Sequence, residues 1–126
     1  MTLADLLTSL SGDERDFIAM ADYGRDAVKH REQLDIVIAC GGEVDLKTQY
    51  WFPYEVVELR KWQMEEGHER EFAACAGIVL KNILDGSDKS NDVETIMDYT
   101  APFMEKLPTE LQSLLNELFD LAIEKS

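Results

Sequence analysis

The sequence predicts an all-α fold: a compact bundle of six or seven helices around a buried central helix at about 68–85. Three observations lead there. Phe72 to Leu80, FAACAGIVL, runs nine residues without a charge, so as a helix it would be apolar on every side and would need neighbours all round. The run continues through Lys81, Asn82, Ile83 and Leu84 to Asp85-Gly86, which is too long and too alanine-rich for an ordinary strand. Finally, 126 residues suit one domain with a real core and no need of disulfides or metal. Residues 1–126 are read as that single domain.

From the N-terminus, Leu3, Leu6, Leu7 and Leu10 recur at helical spacing, and Thr2 caps a short first helix that ends near Ser11-Gly12. Ser11 followed by Glu14 is a capping-box pattern and opens a second helix, with Phe17, Ile18 and Ala21 as its buried stripe and Gly24 as its weak point. Between Arg25 and Cys40 the apolar positions Ala27, Val28, Leu34, Val37 and Ile38 define a helical face, stopped by Gly41-Gly42. The β-branched run Ile36-Val37-Ile38 leaves a short strand as the alternative there. Residues 43–52 alternate in polarity without a partner strand and read as an extended connector.

Pro53 at a first helical position opens a helix running to about Met64, and Gly67 separates it from the central one. After Gly86, SDKSND is the clearest loop, and Asn91 with Glu94 caps the next helix, which Pro102 should end or kink near Tyr99. Pro108-Thr109-Glu110 opens the last helix. Its stripe is Leu111, Leu114, Leu115, Leu118, Phe119, Ala122 and Ile123, with Glu117, Asp120 and Glu124 off the stripe and facing solvent. Ala73, Ala74, Ala76 and Gly77 are small enough to let other helices approach the central axis closely.

Twenty-six acids against twelve bases leave a formal charge of −14. The excess is spread, with net −3, −2, −3 and −6 over residues 1–20, 21–50, 51–71 and 72–126. Such a surface repels nucleic-acid phosphates and anionic lipid, so neither nucleic acid nor membrane is expected as a partner, whereas a basic protein is. Cys40 and Cys75 lie in apolar neighbourhoods without CxxC spacing and read as buried free thiols. With no basic segment preceding an apolar one at the start, and no apolar run long enough to span a bilayer, a cytoplasmic location is expected.

Few residue patterns point to chemistry. Glu65-x-x-His68 has the spacing that puts two metal ligands on one helical face, but it occurs once, and His30 lies in the polar run KHREQ. His68 therefore reads as a surface or helix-end residue held by nearby acids. Glu55 and Glu58, among Tyr54, Val56, Val57 and Trp62, are the best candidates for general acid/base work, and more simply cap a helix or bind a buried polar partner. GxSxG, GxGxxG and Walker signatures are absent. No catalytic residue, metal ligand or cofactor is assigned, and the protein is read as a non-enzyme.

Two acidic zones remain as partner-binding candidates. Glu55, Glu58, Trp62, Glu65, Glu66 and Glu69, with Glu71, surround the rings of Trp51, Phe52, Tyr54 and Trp62, a density that usually completes a core and sometimes forms a recognition patch. Asp85, Asp88, Asp92 and Glu94, with Asp98, flank the SDKSND loop.

The segments WFPYEVVEL and GHEREFAACAGIVL resemble small acidic all-helical bacterial immunity proteins of toxin–immunity systems. The resemblance covers about a third of the chain and carries over no functional residues. It implies an inhibitor that binds a cognate basic toxin domain, a nuclease for example, by presenting carboxylates where substrate phosphates would sit. The alternative is an adaptor or regulatory module, homodimeric through the Trp51–Trp62 aromatics. Third comes a metalloprotein built on Glu55, Glu58, Glu65 and His68.

Overall fold

Every residue from Glu71 to Leu80 is buried, none more than 3% exposed among those with a side chain. The computed structural model describes residues 1–20, 27–43, 67–85 and 93–125, the side chains of Tyr99, Phe103 and Lys125 excepted. Within them lie six helices and no strand: α1 (Leu3–Ser9), α2 (Gly12–Ala19), α3 (Ala27–Ala39), α4 (Glu69–Leu84), α5 (Val93–Met104) and α6 (Thr109–Lys125). The nine-residue uncharged run lies inside α4. This helix packs against α1, α2, α5 and α6, most extensively against α6, while α3 packs on α2 and α1. A helix with no polar side has no face to give to water, so it takes the axis of the bundle.

Local chemistry sets the helix starts. Thr2 accepts from the Asp5 N–H and Asp5 accepts from the Thr2 N–H, at 3.1 and 3.0 Å. Ser11 and Glu14 repeat the exchange at 3.1 and 2.9 Å. Each box satisfies two donors that a helix start leaves open. Replacing Ser11 with alanine should cost about 1 kcal/mol, read as a shift of the urea midpoint with an unchanged slope.

The end of α3 is set by Gly41 and Gly42, at φ 69° and 99°. The Gly42 N–H donates to the Val37 carbonyl at 2.8 Å and the Gly41 N–H to Ile38 at 3.0 Å, the paired bonds of a glycine-terminated helix. Asn82, fully buried on α4, donates through Nδ2 to the Gly42 carbonyl at 2.9 Å and to Ile78 at 2.7 Å. That side chain ties the α3 turn to the central helix.

Several expectations need correction. The buried face of α3 consists of His30, Gln33, Leu34, Val37 and Ile38, and Val28 is 74% exposed; 30, 33, 34, 37 and 38 share one side of a helix and 28 does not. Residues 36–38 are helical, not a strand. Cys75 is buried as read, but Cys40 is exposed, because it sits past the last turn of α3 where the chain reverses. Pro102 does not end its helix near Tyr99: α5 continues to Met104 with Pro102 inside. Pro102 and Asp98 are both exposed, so the carbonyl deprived of its donor can turn to water. On α6, Leu111, Leu114, Leu115, Phe119 and Ala122 are buried and Leu118 is half-buried, while Ile123 is exposed. The connector at 44–52, the helix from Pro53, the break at Gly24, Ala21, the SDKSND loop and the Asn91 cap fall outside the described residues.

Candidate functional site

The outward surface of α6 is built from the residues its apolar stripe leaves over. Glu110, Ser113, Glu117, Asp120 and Glu124 are all exposed. Their alternating separations of three and four residues put them on one line along the helix, about 21 Å long at 1.5 Å per residue. Four carboxylates therefore share one solvent face, opposite the leucines packed on α4. On α5, Glu94 and Asp98 are exposed beside Met97.

Four of the described cations pair with carboxylates that are not on this face. Arg15 reaches Asp35 at 3.0 Å, Arg31 joins Asp16 and, at 3.3 Å, Asp35, Arg70 reaches Glu14 at 2.9 Å, and Lys81 pairs with Asp85 at 3.4 Å. Arg15, Arg31 and Asp35 join α2 to α3; Arg70 joins α4 to α2.

Of the residues proposed from sequence, Glu55, Glu58, Trp62, Glu65, Glu66, Asp88 and Asp92 lie outside the described residues. Glu69 is half-buried, and both of its carboxylate oxygens accept from the Gly67 N–H at 3.1 Å. Asp85 is exposed and holds Lys81; Glu94 is exposed at the start of α5. Glu71 is not part of an outer acidic zone. It is 3% exposed, the first residue of the fully buried stretch from Glu71 to Leu80.

Glu71 belongs to a polar cluster at the start of α4. His68 precedes the first turn of α4, and its Nδ1 lies 2.5 Å from Glu71 Oε2. The imidazole stacks on Phe17 of α2, with ring centroids 3.7 Å apart and planes 6° from parallel. His68 is thus a helix-end residue held by a nearby acid, Glu71, as the sequence suggested; Glu65 lies outside the described residues. Glu14 accepts from the Ser11 N–H at 2.9 Å and from Arg70 Nε at 2.9 Å. Arg70 Nη2 in turn donates to the Ser9 hydroxyl at 2.6 Å and its carbonyl at 3.2 Å.

The two carboxyls are driven apart. Burial raises the Glu71 pKa, His68 opposes that, and Glu14 adds to it. Burial works against ionisation of Glu14 as well, but the Ser11 N–H, the Arg70 guanidinium and the neighbouring Glu71 hold its pKa below the usual glutamate value. Among the described residues no group of three or more His, Cys, Asp or Glu is placed to hold a metal ion. Nor, among them, is any helix long and apolar enough to cross a membrane.

The His68–Glu71 pair was visible in the sequence as a three-residue separation. The Arg70–Glu14 ion pair, 56 positions apart, has no local signal. No protein-family model, curated protein or solved structure matches the chain.

Proposed function

We propose that the protein is a non-enzymatic binding protein that neutralises a basic partner, as an immunity protein does a cognate toxin domain. The observation that carries this reading is the α6 face, where Glu110, Glu117, Asp120 and Glu124 stand exposed in a line while Arg15, Arg31, Arg70 and Lys81 are engaged in ion pairs within the fold. With an overall charge of −14, that face attracts a cationic protein from a distance and repels nucleic acid, the substrate a nuclease toxin would otherwise hold. The enclosed α4 supplies a rigid support, so binding there orders little of the backbone. Glu94 is exposed as well, and the sequence holds a further run of acids from Glu55 to Glu69.

The direct test is co-expression and purification with the product of a neighbouring toxin-bearing reading frame. A complex forming below micromolar concentration, inhibiting that product and associating more slowly as salt rises, is the expected result. Reversing Glu117, Asp120 and Glu124 to lysine should slow association by about tenfold or more while leaving the helical circular dichroism unchanged. No binding at micromolar concentration, or association indifferent to salt and to the reversal, would reject the reading.

An adaptor or homodimeric module is the second reading. Exposed Met20, Val28 and Ile36 on α3 and the end of α2 favour it. Sedimentation showing a dimer that Val28→Ser with Ile36→Ser dissolves would choose it instead.

A further inference from the structure

Where the end of α2 meets the start of α3 there is a cleft of about 320 Å³, walled by Ala19, Met20, Ala27 and Val28, with Asp16, Arg31 and Glu32 completing its lining. Ala19 is buried, whereas Met20 is 60% and Val28 74% exposed. Apolar side chains left this open beside a concave site mark a surface that another group covers.

The surrounding charges select that group. Arg31 is engaged on two sides, by Asp16 and, at 3.3 Å, by Asp35, so its guanidinium has little left for an incoming anion. Asp35 also holds Arg15. Around the cleft, therefore, the three carboxylates of Asp16, Glu32 and Asp35 meet the two guanidiniums of Arg15 and Arg31, leaving one negative charge in excess. A second copy of the chain, itself at −14, would bring like charges together, and a neutral ligand would leave the excess unanswered. A cation on an aliphatic stem suits both the walls and the charge.

Taking from the proposed function only that the partner is basic, we propose that the cleft receives an arginine side chain of that partner, its methylenes against Ala19, Ala27 and Val28 and its guanidinium at the Asp16 and Glu32 carboxylates. Long basic side chains bury their stems on apolar surface while the head keeps its polar contacts. The planar guanidinium meets a carboxylate with two parallel bonds and is more weakly hydrated than an ammonium, which favours arginine over lysine. Met20, unbranched and polarizable, adapts to the stem. The cleft shares no residue with the acidic line of α6, so the two surfaces are tested apart.

Three small molecules, added to the whole chain and followed by amide and methyl NMR, test the assignment. n-Butylguanidinium chloride carries stem and charge, n-butanol the stem, and guanidinium chloride the charge. Each is raised to about 0.1 M, the salts in exchange for sodium chloride so that screening stays constant. n-Butylguanidinium should give saturating shifts centred on Ala19, Ala27 and Val28, with half-saturation on the order of 10 mM for a fragment of this size. The other two should bind more weakly. Glu32→Lys should weaken n-butylguanidinium by about threefold or more and leave n-butanol unchanged, a pattern that loss of folding would not produce. Reversing Glu117, Asp120 and Glu124 to lysine should leave the shifts in place, so the cleft stands or falls whether or not a toxin partner is found. Shifts that never saturate and spread over the acidic surface would overturn the proposal, as would n-butanol binding as tightly as n-butylguanidinium. So would a sedimenting dimer that Val28→Ser dissolves, because a second copy would then occupy the cleft.

Discussion

Truncating Leu7 to alanine is expected to lower the unfolding free energy by about 2–5 kcal/mol. Leu7 is fully buried, and α1 has only seven residues with which to hold itself on the bundle. So short a helix has almost no stability of its own. It stays because Leu3, Leu6, Leu7 and Leu10 are all buried in the core. Leu7 also lies where the α3 turn approaches α1: a Cβ on Gly42 would stand 3.3 Å from Leu7 Cδ1 and 3.2 Å from Leu3 Cδ2. The cavity left by truncation is therefore walled partly by backbone at Gly42, which Asn82 pins in place, and the site cannot collapse easily. For a domain of ordinary stability, about 5–15 kcal/mol, this is a large share. Urea unfolding is the measurement: the midpoint should fall with the slope unchanged. A loss under about 1 kcal/mol would mean that α1 is not docked as described.

The helical architecture was legible where chemistry is local. Ser11 and Glu14 announce a capping box from their spacing alone, and Gly41-Gly42 announces the end of α3, because only glycine takes the left-handed conformation there freely. The uncharged run Phe72–Leu80 marks the axis of the bundle, since its composition permits no other place. Illegible features depend on contacts between distant segments. His30 and Gln33 sit in a polar run that hides their burial, and the helical period places them beside Leu34 and Val37 on the inward side. Glu71 reads as surface because it is charged; its burial follows from being on α4, and the His68 ring that holds it is itself stacked on Phe17 of α2. The acidic line of α6 was half legible, since Glu117, Asp120 and Glu124 were recognised as off-stripe without Glu110 being joined to them.

The same close packing makes Gly77 the position where added volume should cost most. A Cβ built there would lie 2.5 Å from Leu3 Cδ1, nearer than two carbons can sit, and the neighbouring residues of α4 are fully buried. Alanine introduces that one clash against the end of a rotatable side chain while removing the helix penalty of glycine, about 1 kcal/mol. The two effects oppose each other, so Gly77→Ala should stay within about 1 kcal/mol of wild type. Leucine adds three further carbons that no rotation of Leu3 can accommodate, and Gly77→Leu is expected to destabilise by about 1–3 kcal/mol through displacement of α1 from α4. The discriminating measurement is a double-mutant cycle with Leu3→Ala. If the leucine at 77 strikes Leu3, truncating Leu3 opens space for it, and the pair should cost less than the sum of the single variants by about 0.5–3 kcal/mol. Strict additivity would mean that the strain lies elsewhere around α4, and an unchanged melting temperature in Gly77→Leu itself would contradict the enclosed central helix.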